Sequence, residues 1–352
     1  MLSVHDETKV KELMLAHGFK PFRWAQLEHA LYKDLFDGFS VVSTLPSDVR
    51  DLLEKEVTYN SLEIATEHTS SNQQVTKFIL KTQDGQSLEA VIMRHLSGRN
   101  TLCVSCQVGC PMACSFCATG KLGLKRNLEL GEIMDQVMIA ARRLRHEGRA
   151  LRNVVFMGMG EPMLNYDAVA AAIRILTAHK KMDMSARRIT VSTCGVIPGI
   201  ERFGDDFKQT SLAISLHVPT DEGRLPIMPV NAAYPLAKLM ESLDRYVEKT
   251  NSRVFYEYIM INGVTDRPEY AKKLADLLRG RLAHVNFIPY NPGEGSSSDG
   301  MKPTPRAVIE MFQRTLEKAG VMSTIRATLG DDIAAACGQL ALKEKESRLN
   351  YD

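Results

Sequence analysis

From Cys117 onward, short apolar and β-branched runs alternate with longer stretches of helical periodicity, and that rhythm limits the folds open to the chain. Strands are expected at 153–157, 188–192, 211–216, 253–260, 284–289 and 323–326, with helices at 131–147, 167–178, 236–249, 268–279 and 306–319. Strands joined through helices pair in parallel, because a parallel neighbour needs a crossover of a dozen or more residues. The expected fold is therefore α/β: a parallel sheet with helices outside, closed or partly closed into a barrel. Its chemistry belongs to the loops after the C-terminal strand ends. A chain of 352 residues can bury such a core and still carry an accessory domain.

The first third reads differently. Residues 5–56 are expected to be helical, with Leu13, Ala16, Trp24, Leu27, Leu31 and Leu35 near helical spacing and breaks at His17-Gly18 and Pro21. Pro46-Ser47-Asp48 opens a short helix with Ser47 as N-cap. Two apolar runs, 75–80 and 88–93, flank Asp84-Gly85 and predict a β-hairpin. Residues 293–300 are of low complexity and read as a mobile loop. The divisions that follow are 1–58, 59–95, 96–332 and 333–352.

Seven cysteines are present, and five of them (Cys103, Cys106, Cys110, Cys114, Cys117) crowd into fifteen residues. An odd number so clustered argues for a metal site rather than a disulfide framework. No apolar run is long enough to span a bilayer and residues 1–11 are highly charged, so the reading places the protein in the cytoplasm, away from membranes. Net charge is only +2, so nucleic-acid contact has to come from local groups: Lys121, Lys125 and Arg126; Arg142, Arg143, Arg145, Arg149 and Arg152; Lys180, Lys181, Arg187 and Arg188. Each group can equally be a solvated face.

Cys110, Cys114 and Cys117 have the spacing C-x3-C-x2-C. Three thiolates on one tight loop can each hold one iron of a 4Fe-4S cubane and leave the fourth iron open. A structural zinc would want four ligands, usually two separated pairs, and no second pair is nearby. Past the first of the strands listed above, Phe156-Met157-Gly158-Met159-Gly160-Glu161-Pro162 offers glycines for close approach and a carboxylate for an ammonium.

The cysteine spacing resembles the signature of the radical S-adenosylmethionine superfamily. The segments around Cys103 and Cys337, with Gly330-Asp331-Asp332 before the latter, closely resemble the RlmN/Cfr family of RNA methyltransferases over essentially the whole chain. The resemblance implies a partial (β/α)6 barrel over 96–332, an N-terminal helical RNA-binding domain and a small β extension. It also implies a 4Fe-4S cluster on Cys110, Cys114 and Cys117, and S-adenosylmethionine held by Gly160, Glu161, Ser192, Ser215, Leu216, His217 and Asn291. In the implied scheme Cys337 accepts a methyl group from one cofactor molecule and a second molecule supplies the radical that activates it. Cys103 releases the product through a transient disulfide, and Glu89 accepts a proton. Read from the sequence alone, Glu89 is an exposed strand carboxylate.

Cys106 and Cys194 stand where relatives carry serine; both read as small buried residues. The implied partners are 23S ribosomal RNA, tRNA and a flavodoxin- or ferredoxin-type electron donor, with the protein a monomer. Lys11, Lys20, Arg23 and Lys33 can grip folded RNA. One branch of the family methylates carbon 2 of adenine and the other, Cfr, carbon 8, conferring antibiotic resistance. Gln107-Val108-Gly109 and Pro162 favour carbon 2, whereas Ala118-Thr119-Gly120 leans the other way. A radical enzyme acting on a non-RNA substrate and a zinc-bearing RNA-binding module are the alternatives.

Overall fold

The computed structural model describes residues 2–292 and 300–340. The low-complexity stretch at 293–299 and the tail at 341–352 lie outside the described residues.

Three helices open the chain: α1 (Glu7–Ala16), α2 (Phe22–Tyr32) and α3 (Ser47–Glu56). The short strands β1 (Leu2–Ser3) and β2 (Val57–Thr58) pair in parallel and draw the two ends of this unit together. Helix α1 stops at His17 and α2 starts after Pro21, where the breakers stand. The face that α1 buries is Val10 and Met14, with Leu13 half-buried beside them and Ala16 exposed. Ser47 does not cap α3; it is the first helical residue, behind an extended Pro46, and the Asp48 carboxylate accepts the Val49 amide at 2.8 Å.

The expected hairpin is two-thirds of a meander: β3 (Leu62–Thr69), β4 (Val75–Thr82) and β5 (Ser87–Arg94), all antiparallel. Strand β3 carries no hydrophobic alternation because it is an edge strand with Glu63, Ala65 and Glu67 exposed. At its other side β5 pairs antiparallel with β6 (Asn100–Cys103), so the extension is continuous with the core sheet.

Six βα units follow. Strand β6 reaches α5 (Leu130–His146) through the short pair β7 (Gln107–Gly109) and β8 (Leu124–Asn127), with the helical turn α4 (Ala118–Lys121) between them. Next come β9 (Asn153–Phe156) with α6 (Tyr166–Thr177), and β10 (Ile189–Thr193) with α7 (Ile197–Asp206). Strand β11 (Ser211–Ser215) leads to α8 (Asp221–Arg224) and α9 (Leu236–Thr250). The last units are β12 (Val254–Met260) with α10 (Pro268–Leu278), and β13 (Ala283–Pro289) with α11 (Arg306–Lys318), before β14 (Met322–Ile325). The sheet runs β14-β13-β12-β11-β10-β9-β6-β5-β4-β3, parallel from β14 to β6, and β14 and β3 are its two edges. It is a partial barrel of six βα units, the architecture that the sequence resemblance implies.

Helix α7 is absent from the sequence reading because Pro198 and Gly199 look like breakers. Pro198 lies in the first turn, where its missing amide costs nothing. Gly199 packs so close to Met163 that a Cβ would strike it.

Side chains alternate across the sheet. On β12, Phe255, Glu257 and Ile259 line internal cavities, while Tyr258 packs outward with Phe287 and Phe312 at centroid spacings of 5.8 to 6.0 Å. Each such ring, once buried, contributes roughly 1.5–3 kcal/mol.

The arginine cluster on α5 is structural. Arg142 donates to the Leu35 and Phe36 carbonyls at 3.1 and 2.6 Å, and Arg145 to the Asp34 carbonyl at 2.6 Å, tying the N-terminal unit to the barrel. Arg126 is likewise engaged, by Asp84 and Glu132.

Candidate active site

The three cysteines of the C-x3-C-x2-C motif lie on a tight excursion between β7 and β8. Gly109 makes it possible: its φ is 76°, and a Cβ there would collide with the Gly123 carbonyl. The Cys110 amide bonds that same carbonyl at 3.0 Å, and the Ser115 amide bonds the Ile227 carbonyl at 3.1 Å. All three thiols line one cavity of about 150 Å³ with Gly160, Glu161, Ser192, Ser215 and His217. Among the described residues no three ligating side chains converge on a single-ion position. Zinc would need such convergence. A cubane does not, since each thiolate holds a different iron. The donor set fits the cluster.

Glu161 follows β9 and is buried. Its two oxygens accept the Met163 amide at 3.0 Å and the Cys194 amide at 2.7 Å. Burial nevertheless pushes its carboxyl above the usual range. A bound ammonium would supply the missing counter-charge. His217 has φ 60° and uses Nδ1 to accept the Ile259 amide at 3.1 Å. Burial, with Arg224 nearby, lowers its pKa to about 3, so the ring is a neutral wall packed edge-on against Phe116. Leu216 lines neither this cavity nor the next; it contributes backbone, donating to the Glu257 carbonyl at 3.1 Å and accepting from Arg224 at 3.2 Å.

A second cavity, of about 630 Å³, fills the barrel lumen. Cys103, at the end of β6, and Asn291, after β13, line it, so Asn291 is set apart from the other expected cofactor contacts. Cys337 borders both cavities, as do Met157, Glu257, Ile288 and Arg326. Cys337 is solvent-accessible as a residue, but its place in both linings turns it to the interior of the barrel, where the surrounding protein desolvates the thiol. Burial raises the Cys337 thiol, and the Arg326 guanidinium beside it pulls the other way. Burial, with Cys337 close by, pushes Cys103 up to about 12. The segment carrying Cys337 is tied to the cysteine loop: the Ala118 amide bonds the Gly338 carbonyl at 2.8 Å, and the Thr119 hydroxyl bonds the Leu340 carbonyl at 2.7 Å.

Glu89 is not the exposed carboxylate the sequence reading favoured. It is fully buried on β5, 3.2 Å from Lys77, and lines neither cavity. It lies two residues before Val91, which lines the lumen, and so on the same face of the strand. Cys106 is buried outside both cavities, whereas Cys194 lies in the cysteine-lined cavity with its sulfur 3.9 Å from that of Cys114.

Glu257 and Arg326 are the residues that sequence reasoning missed. A charge inside the apolar run of β12 was the available signal for Glu257. Arg326 gave none, because an arginine at a strand end normally reaches solvent.

Comparison with known proteins agrees with this geometry. Residues 104–278 match the Radical SAM superfamily model. A radical SAM methyltransferase of solved structure from Sphaerobacter thermophilus superposes with a TM-score of 0.93 at 41% identity, covering 97% of this chain and 99% of that one. The probable dual-specificity RNA methyltransferase RlmN of Geobacillus kaustophilus is 43% identical over 338 residues, 96% of this chain and 91% of the relative. This chain belongs to the RlmN family. The corresponding protein of Bacillus subtilis is 42% identical over the same length. The protein is thus a radical S-adenosylmethionine RNA methyltransferase, and its family implies a 4Fe-4S cluster and S-adenosylmethionine. No described helix is long and apolar enough to cross a membrane.

Proposed function

We propose that the protein methylates carbon 2 of a specific adenosine in 23S ribosomal RNA, and of an adenosine in a tRNA anticodon loop, through Cys337 and Cys103. The Cys337 thiolate displaces the cofactor's thioether and becomes an S-methyl thioether. When bound, a second cofactor molecule and the cluster supply an electron and a hydrogen-atom abstractor, the electron coming from a flavodoxin- or ferredoxin-type donor. The methyl group on Cys337 loses one hydrogen atom and its carbon bonds to the ring. Glu89 takes the ring proton, and the cluster, when bound, would accept the electron released. Cys103 then attacks the Cys337 sulfur; the S–S bond forms as the S–C bond breaks, and the freed carbon takes a proton to become the methyl group. Residues 1–58, with Lys20 and Lys33 exposed, grip the RNA.

The observation that carries this reading is the position of Cys337, bordering the cofactor cavity on one side and sharing the lumen with Cys103 on the other. The test is nuclease digestion of RNA from cells lacking the activity and complemented with wild type, Cys337→Ala or Cys103→Ala. Wild type should yield 2-methyladenosine and Cys337→Ala none, while Cys103→Ala should accumulate protein covalently joined to RNA. Appearance of 8-methyladenosine would move the reaction to carbon 8. Undiminished methylation in Cys337→Ala would rule the scheme out.

A further inference from the structure

Glu257 sits midway along β12 in the wall between the two cavities and is 4% exposed. One of its oxygens is engaged: Oε1 accepts from Asn286 Nδ2 at 2.9 Å and from Arg326 Nη2 at 3.2 Å. The other, Oε2, is buried with no partner. Leaving a buried carboxylate oxygen without a donor costs stability, and folds retain such atoms chiefly where a ligand or a water supplies one.

Its place in the sheet identifies the donor. Glu161, which suits an ammonium, follows β9. Ser192 lies on β10 and Ser215 on β11, and Ser215 stands in direct register with Glu257 on β12. A molecule anchored at Glu161 and lying across these strand ends meets Glu257 three strands on, about 14 Å along the sheet and less across its curve. The family's cofactor carries an amino-acid group at one end, a base at the other and two ribose hydroxyls between. Those hydroxyls are neutral donors, the chemistry that an orphaned carboxylate oxygen next to an already bonded one requires.

We infer that Glu257 Oε2 accepts hydrogen bonds from the ribose hydroxyls of bound S-adenosylmethionine, so that Glu161 and Glu257 hold the two halves of the molecule on either side of its sulfonium. Arg326 keeps Oε1 occupied and so directs Oε2 to the ligand. The inference rests on the family's cofactor and not on which RNA atom is methylated.

The test measures binding, not turnover, on the cluster-reconstituted protein under anoxia. The probes are S-adenosylhomocysteine, which cannot donate a methyl group, and its 2′-deoxy and 3′-deoxy forms, each titrated by calorimetry into wild type and Glu257→Gln. Glutamine keeps an oxygen for Asn286 and Arg326 but turns the free acceptor into a donor. Wild type should bind at least one deoxy probe about tenfold more weakly than the parent, the scale of one hydrogen bond to a charged group. Glu257→Gln should bind the parent about tenfold more weakly than wild type does, yet distinguish parent from deoxy probe by less than about twofold.

Equal losses from the missing hydroxyl in both proteins would overturn the assignment. So would unchanged parent binding in Glu257→Gln, whether water alone satisfies Oε2 or a nucleobase amine reaches it from the lumen; weakened RNA binding in that variant would mark the second case. Should Glu257→Gln fail to take up a cluster, the wild-type series still decides, because indifference to both hydroxyls refutes the contact. None of these readouts depends on methylated RNA, so they stand or fall separately from the proposed reaction.

Discussion

Lys77 places its ammonium 3.2 Å from the Glu89 carboxylate, with only 5% and 0% of the two side chains exposed. Lys77 lies on β4 and Glu89 on β5, and the same ammonium reaches the Ala334 carbonyl at 3.2 Å. One buried cation therefore joins the expected proton acceptor to the segment that presents Cys337. Removing one member of a buried pair strands the other's charge, whereas removing both need not. Lys77→Met should cost about 3–5 kcal/mol of stability. Lys77→Met combined with Glu89→Leu should recover most of that loss in urea titrations while RNA methylation stays abolished. If the double variant is as active as wild type, Glu89 has no chemical role.

His217 yields a pH dependence of definite sign. An unfolded histidine titrates near 6.5, while the folded ring, buried beside Arg224, titrates near about 3. Below pH 6.5 the unfolded chain takes up a proton that the folded one refuses. Stability is thus lost as pH falls from 6.5 toward 3, by about 1.4 kcal/mol per unit from this residue alone. Urea titrations of cluster-free protein, run in parallel on wild type and His217→Asn, should give slopes against pH that differ by about that amount. Equal slopes would mean that the folded ring is protonated like a free one.

Much of this was readable in the chain, and the parts that were not share a cause. Most of the strands and helices after Cys117 announce themselves because each carries its own periodicity, and the cysteine loop because its three cysteines fall within eight residues of sequence. The nature of Glu89 was hidden. A lone carboxylate on a hairpin strand reads as solvent-facing, whereas its partner Lys77 is met by the Ala334 carbonyl only because the chain returns there more than two hundred residues later. Arg326 and Glu257 face each other for the same non-local reason: β12 and β14 are brought together across β13. Helix α7 was lost to a local rule, since Pro198 and Gly199 break helices except where a first turn and a close neighbour want them.

The hydroxyl of Thr119 reaches from the cysteine loop to the Leu340 carbonyl, 2.7 Å away and buried. Thr119→Val keeps the shape and removes the donor, at a cost of about 1–3 kcal/mol for the stranded carbonyl. The bond holds the Cys337 segment, and Thr119 also reaches the Cys117 thiol, so methylation of Cys337, scored by mass spectrometry, should slow more than cluster content falls. Cluster content and cofactor binding should remain within about twofold of wild type. A comparable loss of cluster content would place Thr119 with the metal loop instead.

Gly160 separates backbone strain from steric conflict. Its φ is 106°, and a Cβ there would lie 2.6 Å from the Cβ and 2.8 Å from the Cγ of Gln107. Gln107 in turn receives the Glu161 amide on Oε1 at 2.8 Å and donates to Asn127 at 2.8 Å. Gly160→Ala therefore pays for left-handed backbone, about 1–2 kcal/mol, and also displaces the side chain that orients Glu161. Gly148 is the control: φ is 68° and a Cβ would meet nothing within 4 Å. Gly148→Ala should cost about 1 kcal/mol and leave S-adenosylhomocysteine affinity unchanged. Gly160→Ala should lose more stability than that and bind the ligand at least about tenfold more weakly. If the two variants bind alike, Gln107 does not position Glu161, and the glycine at 160 serves the turn alone.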